Sequence, residues 1–318
     1  MGSTHCLAGF RLVRRSLVLD TPVAETTVAR RAAPLATARD LLALAKPRLA
    51  LLVLCTAAGG MWLAPGQRDV VSAVALLLGT ALVVGAANAL NNFLERDIDG
   101  RMRRTRDRPL PAGRLEPWVA VAVGLGLPSV ALPALALFTN ALTASLAALA
   151  LFTYVVVYTP MKQRSSLALF VGAVPGAIPP LMGWTAATGR LDAGGLALFA
   201  ILFCWQLPHF LAISLYLRED YARAGLKVFA VVHGDRASKA WGALTSLALV
   251  PVSLLLVHLR LAGGLYGATA VVLGTGMGAY ALSGLWQEGA SHRWARNFFL
   301  FTLAYLTLLF AALLVDAR

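Results

Sequence analysis

Nine apolar runs of about twenty residues each dominate this chain, and no other feature narrows its fold as much. They span 49–65, 70–90, 117–138, 141–159, 166–187, 194–216, 240–258, 264–285 and 296–315. A helical run of this length matches the hydrocarbon core of a bilayer. Only 14% of the 318 residues are charged, where a soluble domain carries about 25%. Lipid offers the backbone no hydrogen bonds, so each run must satisfy its own as an α-helix. The expectation is an all-α, polytopic membrane helical bundle of nine transmembrane helices over residues 41–318, preceded by a flexible arm over 1–40. Gly and Pro inside several runs are compatible with this, because neighbouring helices re-satisfy the backbone.

The net charge of +13 does not point to a nucleic-acid partner, because the basic residues are sorted by side. With the N-terminal side labelled inside, 24 of the 28 Lys and Arg fall there, eight of them in the N-terminal arm and seven between the second and third runs. The remaining four are Arg68, Arg190, Arg260 and Arg318. This positive-inside bias predicts a cytoplasmic N-terminus and an external C-terminus. The first 40 residues are Arg-rich and poor in acids, as in a mitochondrial presequence or a disordered cytoplasmic tail. The tail, and a bacterial inner membrane over a mitochondrial one, is the preferred reading. No apolar segment precedes Lys46, so no cleavable secretory signal is expected. Cys6, Cys55 and Cys204 are odd in number and widely spaced, which gives neither a disulfide framework nor a metal pair. No acid lies near the middle of a run, which argues against an ion-driven transporter.

The polar residues collect instead on the inner rim. Directly after the second run come Asn91, Glu95, Asp97 and Asp99, then Arg101, Arg103, Arg104, Arg106 and Arg108. If this stretch is helical, Asn91, Glu95 and Asp99 recur at i, i+4 and i+8 and share a face. Mg²⁺ takes oxygen ligands and prefers to be shared with substrate phosphates, and guanidinium groups such as Arg104 and Arg108 bind phosphate bidentately. The pattern therefore suits a polyphosphate carrying Mg²⁺. Asp97 is off that face, as a ligand to a second ion or a partner for Arg101 or Arg104.

A second concentration follows the sixth run: Trp205-Gln206-Leu207-Pro208-His209-Phe210, then Glu219, Asp220 and Lys227. It falls on the same side, so Glu219 and Asp220 would close a clamp on a metal diphosphate. His209 precedes Asp220 by 11 residues, or about 16 Å of helix, and so lies within the bilayer. It is either a satisfied structural residue or a contact for a flat substrate such as a porphyrin, since imidazole suits haem iron. His233 admits the same two readings. At the end of the fourth run, Lys162 and Arg164 are topology charges or phosphate contacts. Tyr154 and Tyr158, at i and i+4, are interface aromatics or the walls of a cavity that shields a cation.

The run from Asn91 to Thr105 with Arg108-Pro109-Leu110-Pro111 resembles the first motif of the UbiA-type intramembrane prenyltransferases. Within them, the Glu95-Arg96-Asp97-Ile98-Asp99 core, the Gly172–Trp184 block and Trp205–Phe210 with Asp220-Tyr221 are similar to the branch that acts on haem. The resemblance covers roughly residues 40 to 315. It implies a central cavity with lateral access from lipid, capped by the loops after the second and sixth helices. It further implies farnesyl diphosphate and haem b as substrates, Mg²⁺ as cofactor, and a haem a synthase as a partner. By the same resemblance Asn91, Glu95, Asp99 and Asp220 hold Mg²⁺ with Asp97 and Glu219 assisting. Arg104, Arg108, Lys162, Arg164 and Lys227 meet the diphosphate, and Tyr154, Tyr158, Trp205, His209 and His233 line the haem and prenyl cavity. Two departures stand out: Leu226-Lys227-Val228-Phe229 replaces the usual Pro-Met-Leu-Pro, and Lys162-Gln163-Arg164-Ser165 lacks the usual basic run. Leu217 and Tyr221 stand where members acting on quinone precursors carry Asp, which favours the haem branch. A quinone-precursor ring as acceptor, a non-catalytic haem carrier and a transporter are the alternatives.

Overall fold

Caps and prolines decide where the apolar runs become helices in the computed structural model, which describes residues 38–66, 69–287 and 292–317. Of the arm expected over 1–40, all but residues 38–40 lies outside the described residues. The helices are α1 (Ala38–Ala45), α2 (Pro47–Leu63), α3 (Val70–Asp99), α4 (Pro117–Phe138) and α5 (Ala141–Phe152). A π-helical turn (Thr153–Tyr158) joins α5 to α6 (Thr159–Met161). Then come α7 (Ala168–Thr188), α8 (Ala193–Tyr216), α9 (Arg218–Arg223), α10 (Phe229–His258), α11 (Gly264–Ser283) and α12 (His292–Asp316). Pro47 and Pro117 open α2 and α4, where a missing N–H costs nothing. Asp69, Asn140 and Asp192 cap α3, α5 and α8 through side-chain oxygens, satisfying N–H groups that would otherwise be orphaned. Gly189 ends α7 in the left-handed region (φ 69°), as a C-terminal glycine does.

The nine expected spans are not all single straight helices. Among the described residues eight helices are long and apolar enough to cross a membrane, and a ninth appears only if α1 and α2, bent by 45°, act together. The cause is local: Pro47 cannot continue α1, and Lys46 before it turns left-handed (φ 50°, ψ 63°). Two helices also outrun their apolar segments. α3 continues through Asp99, and α10 begins at Phe229 and passes a break at Gly234 (φ 77°).

α7 and α8 form the middle of the bundle. α7 packs on α2, α5 and α8, while α8 also meets α10 and α12. The α2–α7 contact is close because both sides are bare: a Cβ on Gly183 would lie 1.9 Å from Ala57 O, and one on Gly60 2.0 Å from Pro180 O. Small residues let membrane helices approach to backbone contact. Gly183→Val is therefore expected to force α2 and α7 apart, costing about 1–3 kcal/mol or more. A lowered thermal aggregation temperature in detergent reads this out; an unchanged one contradicts the packing.

Candidate active site

Because α3 stays helical past its apolar run, Asn91, Glu95 and Asp99 stack on one face, and all three are buried. Buried charges need partners, and the loops after α3 and α6 supply them. Glu95 Oε1 lies 2.7 Å from Lys162 Nζ, as an ion pair without good hydrogen-bond alignment. Arg108 Nη1 donates to Asp99 Oδ2 at 2.6 Å and lies 3.4 Å from Asn92 Oδ1. Thr105 Oγ1 donates to Asp99 O at 2.9 Å, folding the loop back over the helix end. Asn91 Nδ2 donates to Thr159 Oγ1 at 3.2 Å, while the Thr159 hydroxyl donates to Tyr154 O at 2.8 Å. With its one proton committed, Thr159 can only accept from Asn91, which turns Asn91 Oδ1 away from Thr159.

One oxygen is left over. Asp99 Oδ1 is buried without a hydrogen-bond partner among the described residues, an expensive state for a carboxylate. Among those residues no three His, Cys, Asp or Glu side chains converge to hold a metal on their own. Asn91 Oδ1, Glu95 and Asp99 Oδ1 nevertheless fit an ion that is shared with a bound phosphate and takes only one or two protein carboxylates. The cationic side of the site is half-buried, with the Lys162 side chain 20% and the Arg108 side chain 24% exposed. Burial works to lower the Lys162 ammonium, but the neighbouring Tyr158 and Glu95 outweigh it and raise it above its ordinary range. Lys162 Nζ also sits 5.2 Å from the centre of the Tyr158 ring.

The second patch closes over the first. Asp220, on α9, accepts from Arg103 N at 3.2 Å and from Arg223 Nη2 at 2.7 Å. Met102, Ala224 and Leu226 bury themselves together beneath this clasp. Desolvation opposes the Asp220 charge, yet the bonds from Arg223 and from the backbone of Arg103 and Arg104 hold its carboxyl below the usual range. The loops after α3 and α8 thus meet as one cap.

Two cavities lie under the cap. One of about 310 Å³ runs between α2, α3, the π-helical turn, α7 and α8; a second, of about 210 Å³, lies between Lys162, Ser166, Lys227 and α8. They share Tyr158, His209 and Phe210. Gly172, Pro175, Gly176 and Pro179 of α7 line the larger cavity, the two glycines letting the Tyr158 ring and the Gln206 side chain close against the helix. The π-helical turn, a device frequent at functional sites, brings Tyr154 and Tyr158 within 5.4 Å of each other on the cavity wall. Trp205 stacks on His209 at 4.7 Å, and its Nε1 donates to Thr302 O at 2.7 Å.

Not every expected residue joins this site. Asp97 is largely exposed and pairs with Arg96 at 3.6 Å, facing away from the stacked carboxylates. Arg104, Arg164 and Glu219 are exposed. Lys227 is exposed but lines the smaller cavity, with its backbone N donating to Lys162 O at 3.2 Å. His233 is exposed, and its Nε2 is 2.9 Å from Ser166 Oγ. Conversely, the site includes residues that the sequence reading passed over. Lys46, counted there as a topology charge, lies within electrostatic reach of Arg108, Glu95, Lys162 and Asp99. Asn88 and Asn92 fix its strained backbone by donating to Ala45 O (3.2 Å) and Leu44 O (3.4 Å). Two amides four residues apart, at and just past the end of the second apolar run, were the available signal.

A rim of buried carboxylates and half-buried cations thus stands beside an apolar cavity, and residues 52–303 match the model of the UbiA prenyltransferase family. The chain belongs to that family. More narrowly, it is 65% identical over 296 residues to the protoheme IX farnesyltransferase of Anaeromyxobacter sp. (strain Fw109-5), covering 93% of this chain and 99% of that one. Its fold is similar to that of a solved digeranylgeranylglyceryl phosphate synthase (TM-score 0.74, 16% identity, 87% of this chain and 97% of that one). It is also similar to that of a UbiA homologue from Archaeoglobus fulgidus bound to GPP and Mg²⁺ (TM-score 0.63, 17% identity, 86% and 99% covered).

Proposed function

We propose that this protein transfers the farnesyl group of farnesyl diphosphate to a vinyl group of haem b, producing haem o. The observation that carries prenyl transfer is the orphaned Asp99 oxygen beside half-buried Lys162 and Arg108, next to an apolar cavity. The haem acceptor is supported by the 65% identical farnesyltransferase. Asn91, Glu95 and Asp99 would hold Mg²⁺ together with Asp220, the further ligand that the family resemblance implies, while the exposed Asp97 and Glu219 stand outside this set. The ion would withdraw charge from the diphosphate oxygens as the leaving group departs.

The chain's own residues account for the remaining steps. Arg108, Lys162 and Lys46 offset the negative charge that grows on the diphosphate as the C–O bond breaks, with Arg104, Arg164 and Lys227 nearer solvent. The faces of Tyr154 and Tyr158 attract the allylic cation left behind. Apolar walls keep bulk water from capturing it early. The haem vinyl carbon then supplies the electron pair for the new C–C bond. Water adds to the resulting cation next to the ring and releases a proton, leaving a hydroxyethylfarnesyl group and free diphosphate. The enzyme would lie in a bacterial inner membrane with its N-terminus cytoplasmic, handing haem o to a haem a synthase.

The test is direct. Purified protein in detergent with haem b, farnesyl diphosphate and Mg²⁺ is expected to yield farnesylated haem by mass spectrometry. Chelation with EDTA should abolish the product, and added Mg²⁺ should restore it. Protein that binds labelled farnesyl diphosphate yet makes no farnesylated haem contradicts the proposal.

A further inference from the structure

We propose that His209 ligates the iron of the haem substrate through Nε2, and that Thr302 makes this possible by fixing the imidazole's tautomer; the inference rests on the haem reading above. Thr302 Oγ1 lies 2.7 Å from Phe299 O and 2.9 Å from His209 Nδ1. A carbonyl oxygen only accepts, so the single hydroxyl proton goes to Phe299. Thr302 therefore meets His209 as an acceptor, and Nδ1 carries the N–H. An imidazole with one ring proton then has its lone pair on Nε2. Nε2 has no hydrogen-bond partner among the described residues, and His209 lines both cavities.

The ring is also held in place. It lies against Trp205, with centroids 4.7 Å apart and planes at 23°, and against Phe299, at 4.9 Å and 34°. Trp205 Nε1 donates to Thr302 O at 2.7 Å, so one residue anchors both the imidazole and its stacking partner. Metal-binding imidazoles almost always donate their other N–H to a fixed acceptor, and a proximal His is a common haem ligand. His233 lacks this arrangement: it is exposed, and its Nε2 already meets Ser166. A macrocycle held on His209 would share these chambers with Tyr158, which also lines both and whose ring centre is 5.2 Å from the Lys162 ammonium. Thr302 is a positioning residue in this scheme, since it acts through His209.

The experiment uses the full chain in detergent with ferric haem b, read by optical absorption and EPR. Wild type is expected to show histidine-nitrogen ligation, with ¹⁵N hyperfine coupling when the protein is labelled at histidine. His209→Gly should lose that signature and regain it with millimolar imidazole. Thr302→Val should bind haem about 10–100-fold more weakly, whereas Thr302→Ser should stay near wild type. Iron-free protoporphyrin IX should bind wild type and His209→Gly alike. An unchanged spectrum in His209→Gly overturns the inference, as does the absence of histidine coupling in wild type, a measurement that needs no variant to fold. Farnesylated haem produced alongside either result leaves the functional reading standing, whereas a lack of product in a protein with intact ligation removes that reading instead.

Discussion

Replacing Asp99 with alanine or asparagine lowers farnesyl transfer by about 10²–10³-fold in a protein that still folds and inserts. The asparagine variant is the sharper one. It keeps the volume at a position that is 1% exposed, and it keeps an oxygen for Arg108. It removes the carboxylate charge and puts an NH₂ donor in place of the buried, unpartnered Oδ1, so that position can no longer ligate a cation. Folding survives because Arg108 has other recourse: its side chain is 24% exposed and Asn92 Oδ1 is 3.4 Å away. Single-turnover product formation measured by mass spectrometry, with a thermal melt as the folding control, decides the matter. Asp97→Ala serves as the comparison, since Asp97 points outward to Arg96 and its loss should change the rate less than threefold or so. Near-normal turnover in Asp99→Asn would mean that the carboxylate is only Arg108's counter-ion.

The contrast between Asp99 and Asp97 also shows what a linear sequence can carry. The spacing of Asn91, Glu95 and Asp99 encodes a shared face, and α3 supplies it by staying helical through Asp99. Hydropathy likewise encodes the helices, with bounds that shift where a proline, a left-handed residue or a polar extension intervenes, as at Lys46 and along α3. Spacing carries no information on contacts between distant segments. The pairing of Lys162 with Glu95, and of Asp220 with the backbone of Arg103, depends on two loops meeting over the bundle. Charge counting could not separate Lys46 and Lys162 from the solvated arginines, because burial is set by packing and not by composition. Thr302 was invisible for the same reason: its role is defined by Trp205, His209 and Phe299 converging on it.

Lys162→Met tests the other half of the rim. The pair it breaks is buried, with Glu95 5% and Lys162 20% exposed and their atoms 2.7 Å apart. Removing one partner strands a charge and costs about 3 kcal/mol, the low end for buried pairs given that partial exposure. The variant should therefore melt earlier and bind farnesyl diphosphate about 10–100-fold more weakly, since an ammonium contributes to the leaving-group site. Glu95→Gln added to Lys162→Met removes the stranded charge and should recover most of the lost stability. Activity should not recover with it. On the proposed mechanism the ion pair satisfies both partners only until metal and diphosphate replace them, so deleting both would empty the site of its ligand and its cation together. A scaffold-only pair predicts the opposite, with stability and turnover returning in step. Measuring both quantities on the same double variant separates the two: recovered melting with turnover still reduced by about 10²-fold or more assigns the pair to substrate handling, and joint recovery assigns it to folding.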